Sequence, residues 1–151
     1  MADDLQMTLE LDLAEVGRVL DEMEAFGEAH DMPMKALLRF NLVLDELITN
    51  IISYGFEGGA DGRIELRVGL NDNMLMADLT DNGRPFNPAE AVLPDLGETL
   101  EDRNIGGLGL RLIHTYLDRL DYQRDGGLNR LRIQMNVTAT DTGLNVGSDL
   151  K

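Results

Sequence analysis

Asp45-Glu46-Leu47-Ile48-Thr49-Asn50 lies inside a helical pattern that runs from about Pro33 to Ser53. Leu37, Leu44, Leu47, Ile48, Ile51 and Ile52 recur with helical spacing and predict a buried stripe, with Glu46, Thr49 and Asn50 toward the opposite, polar side. Positions 46 and 50 are four apart, so their side chains stand on one helical face within reach of one ligand. A carboxylate there can accept a proton from an attacking hydroxyl, and an amide oxygen can bind Mg²⁺ without adding charge. Taken alone, an acid and an amide at this spacing are also what a solvated helix face carries.

On the N-terminal side, Leu5, Met7, Leu9 and Leu11 alternate with other residues and predict a half-buried strand. A first helix follows from about Leu13 to His30, carrying Val16, Leu20, Met23 and Phe26, and Pro33 separates it from the second. On the C-terminal side, the glycines of Phe56 to Gly62 are turn chemistry leading into a strand at Arg63 to Leu70. Asn71-Asp72-Asn73 suggests a hairpin corner, and the returning strand, Met74 to Thr80, ends at Asp81-Asn82-Gly83-Arg84-Pro85-Phe86. The long connection from Pro88 to Ile105, rich in acids, suits a lid. Gly106-Gly107-Leu108-Gly109 opens a third helix carrying Leu110, Leu112, Ile113 and Leu117 and ending near Arg119. Two strands, about Asp121 to Arg124 and Asn129 to Val137, flank a Gly126-Gly127 turn. The expected class is α+β: a two-layer α/β sandwich with helices on one face of a mixed, mainly antiparallel sheet. One domain over residues 1–137 is expected, with 138–151 a flexible polar tail.

Two further motifs carry chemistry. An acceptor-only carboxylate at a strand end, Asp81, can take a hydrogen bond from the exocyclic amino group of adenine, and Gly83 would let the backbone approach the base. The plainer reading is a strand-terminating turn, with Pro85 fixing φ and Gly83 supplying an unusual conformation. The Gly106 to Gly109 helix entrance offers outward-pointing amides and room for phosphate oxygens, although no Lys-Ser or Lys-Thr follows as in a Walker loop.

Composition narrows the classes. With 151 residues the chain suits a single domain, and without cysteine it has no disulfide, thiolate zinc site or cysteine nucleophile. A net charge of -15 with only two lysines argues against direct nucleic-acid binding and against an anionic membrane surface. The acids in Met1 to Asp4 and the lack of a long apolar run point to a cytoplasmic protein. His30 and His114 do not form a metal-ligand pair, and the methionines read as core filler.

In order and spacing, Glu46 and Asn50, then Asp81 and Gly83, then Gly106 to Gly109 resemble the N, G1 and G2 boxes of the GHKL (Bergerat) ATP-binding superfamily. The likeness covers about Met34 to Val137. Gly83-Arg84-Pro85-Phe86-Asn87-Pro88 and Gly107-Leu108-Gly109-Leu110-Arg111-Leu112-Ile113 look most like its bacterial anti-sigma-factor serine/threonine kinases. The resemblance implies ATP and Mg²⁺ as cofactors, Glu46 as general base, Asn50 as Mg²⁺ ligand, Asp81 as adenine reader, and Gly106, Gly107, Leu108 and Gly109 as the phosphate-facing hinge of the lid. Asn129 falls near where relatives often place a threonine beside the base. The implied partners are a STAS-type anti-anti-sigma protein, which would be phosphorylated, and a sigma factor, which would be sequestered; relatives commonly form homodimers. Relatives often carry a histidine where this chain has Tyr54, and the glycine-rich segment here lacks a lysine. A nucleotide-gated binding module that transfers nothing, and a relic that binds no nucleotide, remain as other readings.

Overall fold

Period-two burial organises the sheet. In the computed structural model, which describes residues 4–56, 61–88, 107–138 and 145–147, the strands are β1 (Leu5–Leu9), β2 (Ile64–Asn71), β3 (Met74–Asp81), β4 (Arg119–Asp125), β5 (Leu128–Asn136) and β6 (Asn145–Gly147). They form one sheet in the order β1-β2-β3-β5-β4-β6, antiparallel throughout except for the parallel β4–β6 pair. Alternate residues point inward: Met7 and Leu9, then Ile64, Leu66 and Val68, then Leu75, Ala77 and Leu79, then Leu131, Ile133 and Met135, all buried.

Three helices among the described residues cover that face: α1 (Ala14–Ala29), α2 (Met34–Tyr54) and α3 (Gly107–Tyr116). Their buried side chains, including Val19, Met23, Phe40, Val43, Leu44, Leu47, Ile48 and Ile113, join the strand residues in one core. The architecture is therefore the expected α+β two-layer sandwich. The α2 stripe is wider than the six residues from Leu37 to Ile52 suggest. Ala36, Phe40 and Val43 are fully covered, whereas Ile51 and Ile52 near the helix end are only partly so.

Two boundaries differ from expectation, each for a backbone reason, and the buried face of α1 is shifted. α3 stops at Tyr116 rather than near Arg119, because the Asp118 amide turns to donate to the Gln134 carbonyl at 2.8 Å and starts the β4 pairing. Asn145–Gly147, inside the stretch expected to be a polar tail, pairs with Arg119, Leu120 and Asp121. Backbone pairing of three residues needs no side-chain periodicity, so alternation could not reveal it. On α1, Val19, Met23, Phe26 and Gly27 are buried, while Val16 and Leu20 lie at the margin. Tight turns behave as read: Gly126 and Gly127 have φ of 58° and 81°, the paired left-handed conformation of a two-residue hairpin turn.

The entry of α1 is tied to β1 by charge. Glu15 accepts the Glu10 amide at 2.9 Å and Arg18 Nε at 2.8 Å, and Arg18 Nη2 donates to the Thr8 carbonyl at 2.8 Å. The Arg18 hydrogen bond, followed by that from the Glu10 amide, lowers the Glu15 pKa from 4.5 to about 2. A carboxyl depressed on folding binds more protons unfolded, so its contribution is complete above about pH 4.5 and is lost as pH falls toward 2. A carboxyl titration followed by NMR should give Glu15 a midpoint near 2, and Glu15→Gln should flatten the acid limb of stability between those values. The pair is at the surface and screened by solvent, so the effect on stability should be small; a Glu15 midpoint above 4 contradicts it.

Candidate nucleotide site

Strand alternation that buries Leu75, Ala77 and Leu79 also turns Asp81 inward, at 6% exposure. An aspartate takes up this core-facing position because the strand ends there and the chain turns to supply donors. The Gly83 amide donates to Asp81 Oδ1 at 2.9 Å, and Asn129 Nδ2 donates to the same oxygen at 3.0 Å. Asp81 and Asn129 are direct partners in the β3–β5 register. Both contacts use Oδ1, leaving Oδ2 as the acceptor the carboxylate can offer a ligand.

The turn after β3 is clamped to the end of α2. The Arg84 amide donates to the Gly55 carbonyl at 2.9 Å, and Arg84 Nε donates to the Tyr54 carbonyl at 2.7 Å. A guanidinium at the last carbonyls of a helix suits the negative end of its dipole. Gly83 is glycine for a reason other than those read from sequence. Its φ is not in the left-handed range, and a Cβ there would lie 2.6 Å from the Gly55 carbonyl oxygen and 2.9 Å from Asp81 Oδ1. Close approach of α2 to the strand end imposes the residue.

Glu46 and Asn50 stand on α2, both half-buried, and Asn50 Nδ2 donates to Glu46 Oε1 at 3.2 Å. Their neighbours pair separately, Thr49 Oγ1 donating to Asp45 Oδ1 at 3.1 Å. Asn50 precedes Gly55, where the Asp81 turn is clamped, by five residues, about 7.5 Å of helix, and Glu46 lies a further turn back. Asn50 spends its amide hydrogen on Glu46 and so keeps a neutral oxygen for a hard cation. That donor chemistry fits Mg²⁺ held mainly by phosphates and water. Among the described residues, no group of three or more His, Cys, Asp or Glu could hold a metal by itself.

Gly107, Leu108 and Gly109 form the first turn of α3, and Gly106 lies outside the described residues. At its other end, Tyr116 carries the Arg39 guanidinium 5.1 Å over its ring. Arg39 is near the start of α2, and α3 packs against α2. The structure brings Asp81, Gly83 and Asn129 together, ties them to the C-terminus of α2, and keeps Glu46 and Asn50 in mutual contact.

Three participants were not singled out from sequence: Gly55, Tyr122 and Arg124. The Tyr122 hydroxyl and Arg124 Nη1 both donate to Asn129 Oδ1, the latter at 3.1 Å, and Arg124 Nη1 also reaches the Gly83 carbonyl at 2.7 Å. A signal existed, since Arg124 is paired with Asn129 and continues the inward phase of Leu120 and Tyr122. The polar groove on the outer face of the sheet, lined by Gln6, Thr8, Glu65, Arg67, Asp78 and Arg132, lies on the side away from this cluster.

Fold and site together define a nucleotide-binding domain of the GHKL kind, and residues 9–135 match the family model of the histidine kinase-like ATPase domain, so the chain belongs to that family. Its relatives place it in the anti-sigma-factor serine/threonine-protein kinase branch. The serine/threonine-protein kinase BtrW of Bordetella bronchiseptica is 37% identical over 100 residues, which cover 65% of this chain and 70% of that protein. An anti-sigma F factor of Clostridium botulinum is 30% identical over 97 residues, covering 62% of this chain and 68% of that one. The RsbU and RsbW domains of a Mycobacterium tuberculosis protein share the fold with a TM-score of 0.62 at 12% identity, over 96% of this chain. This chain spans about a third of that larger one, 34%. No helix among the described residues is long and apolar enough to cross a membrane.

Proposed function

We propose that this chain is a cytoplasmic, ATP-dependent serine/threonine-protein kinase that phosphorylates a STAS-type anti-anti-sigma protein and sequesters a sigma factor, a partner switch set by nucleotide state. The observation that carries the reading is the buried Asp81 carboxylate, one oxygen held by Gly83 and Asn129, locked to the end of the helix that bears Glu46 and Asn50. Asp81 Oδ2 would accept the adenine amino proton. The amides at the start of α3 would face the phosphates. Mg²⁺, when bound through Asn50, would offset phosphate charge that a chain of net charge -15 offsets poorly. Glu46 would orient and deprotonate the partner's hydroxyl, since phosphoryl transfer asks a protein mainly for positioning and electrostatics. One surface binding two rivals is an equilibrium biased by their different affinities for the nucleotide states. A homodimer is the expected assembly.

Transfer of labelled γ-phosphate from Mg-ATP to purified STAS-type candidates tests the reading. Label on a serine or threonine of the partner is expected. Mg-ATP binding without any transfer would make the chain a nucleotide-gated binding module, and calorimetry showing no Mg-ATP binding would make it a relic. Asp81→Ala should weaken ATP binding by about 1.5–3 kcal/mol, the worth of a hydrogen bond to a charged group. Asn50→Ala should lose affinity only when Mg²⁺ is present. Parent-like binding of Mg-ATP by both variants would remove these residues from the site.

A further inference from the structure

Asp81, Asn129 and Arg124 stand in one row across β3, β5 and β4, each directly opposite the next. Their hydrogen bonds run in one direction. Arg124 Nη1 and the Tyr122 hydroxyl donate to Asn129 Oδ1, and Asn129 Nδ2 donates to Asp81 Oδ1 at 3.0 Å and to the Arg84 carbonyl at 2.8 Å. A guanidinium only donates and a carboxylate only accepts, so the amide between them can satisfy both in one orientation alone. Turned over, it would set N–H against N–H on one side and oxygen against carboxylate on the other. In the observed orientation both amide hydrogens and both oxygen lone pairs are committed, and Asn129 has no capacity left for a base.

We infer that Arg124, acting through Asn129 and supported by Tyr122, is a positioning residue that sets the base specificity of the site. It holds the Asp81 carboxylate as a rigid acceptor with Oδ2 presented to the ligand. The inference rests on Asp81 being the base reader. Adenine offers an amino donor where guanine offers a carbonyl acceptor, so a fixed acceptor selects the first and repels the second. The 2.7 Å bond from Arg124 to the Gly83 carbonyl fixes the turn beside it in the same way. Loosening this relay should therefore change discrimination between bases and leave the phosphate end of the site alone.

Calorimetry of Mg-ATP and Mg-GTP binding tests this on the parent, Arg124→Leu, Arg124→Lys, Tyr122→Phe, Asn129→Asp and Asp81→Ala. Arg124→Leu should lower the ATP-over-GTP ratio about tenfold, through weaker ATP binding, and Tyr122→Phe should lower it less. Arg124→Lys keeps a donor-only cation and should restore most of the ratio. Asn129→Asp keeps the shape but sets an oxygen against Asp81, so it should lose discrimination without unfolding, even if Arg124→Leu does not fold. A parent-like ratio in Asn129→Asp and Arg124→Leu, with the ratio lost in Asp81→Ala, overturns the relay and leaves Asp81 as reader. A parent-like ratio in Asp81→Ala overturns that reading instead. Equal impairment in Arg124→Leu and Arg124→Lys also overturns the relay, because donor polarity would then be irrelevant.

Discussion

Glu46→Ala is expected to bind Mg-ATP like the parent and to phosphorylate its protein partner about 10²- to 10⁴-fold more slowly. The loss corresponds to about 3–5 kcal/mol of transition-state stabilisation. It should fall on transfer alone because Glu46 touches neither Asp81 nor the turn that positions it; its contact is Asn50, whose Nδ2 donates to Oε1 at 3.2 Å. Removing the carboxylate frees that amide at a half-buried position where water can replace the partner. Glu46→Gln is the sharper variant. It keeps length and packing while removing the base, so it should match the alanine variant in transfer and the parent in affinity. Single-turnover transfer beside equilibrium binding separates the two, and parent-like transfer by either variant removes Glu46 as the base.

The assignment is sensitive to helix phase. Because α2 buries Val43, Leu44, Leu47 and Ile48, positions 45, 46, 49 and 50 are forced to its other side. Asp45 is taken by Thr49, which leaves Glu46 and Asn50 as the pair turned to each other. A base one residue away would point into the core or into a different pairing.

How much of this was readable in advance depended on periodicity. The strands β2 and β3 and the helix α2 followed from alternating and helical spacing, since each buries one face of a regular element. Inward phase also marked the site. The rows that bury Leu79, Leu131 and Leu120 end in the buried Asp81 and Asn129 and in Arg124, which is exposed, at one end of the sheet. Asp81 is marked by the motif that follows it, whereas Arg124 ends an expected strand with no motif, and its role shows only in its bonds to Asn129 and the Gly83 carbonyl. Asn129 shows the same limit from the other side. Sequence resemblance puts it beside the base, whereas its committed hydrogen bonds make it a brace for the Asp81 carboxylate, and those depend on groups from three strands and a turn. β6 was illegible because a strand of three residues is too short to show an alternating pattern.

The same dependence on long-range approach governs Gly83. Gly83→Ala is expected to destabilise the domain by about 1–3 kcal/mol, the cost of overpacking a fixed site. It is also expected to weaken nucleotide binding at least as much as removing Asp81, by about 1.5–3 kcal/mol or more. The added methyl would lie 2.6 Å from the Gly55 carbonyl oxygen, which is backbone and cannot rotate aside. Relief requires the turn to move away from α2. That motion breaks the Arg84 amide bond to Gly55, draws the Gly83 amide from Asp81, and pulls its carbonyl from Arg124. All three bonds hold the base-reading end, so binding and stability should fall together, as they should not in Glu46→Ala. Had glycine been needed here only for an unusual φ, alanine would cost strain in the turn and leave α2 where it is. Thermal unfolding and Mg-ATP calorimetry on the purified variant distinguish the cases: a parent-like midpoint with parent-like affinity would mean that α2 and the end of β3 do not meet as closely as 2.6 Å implies.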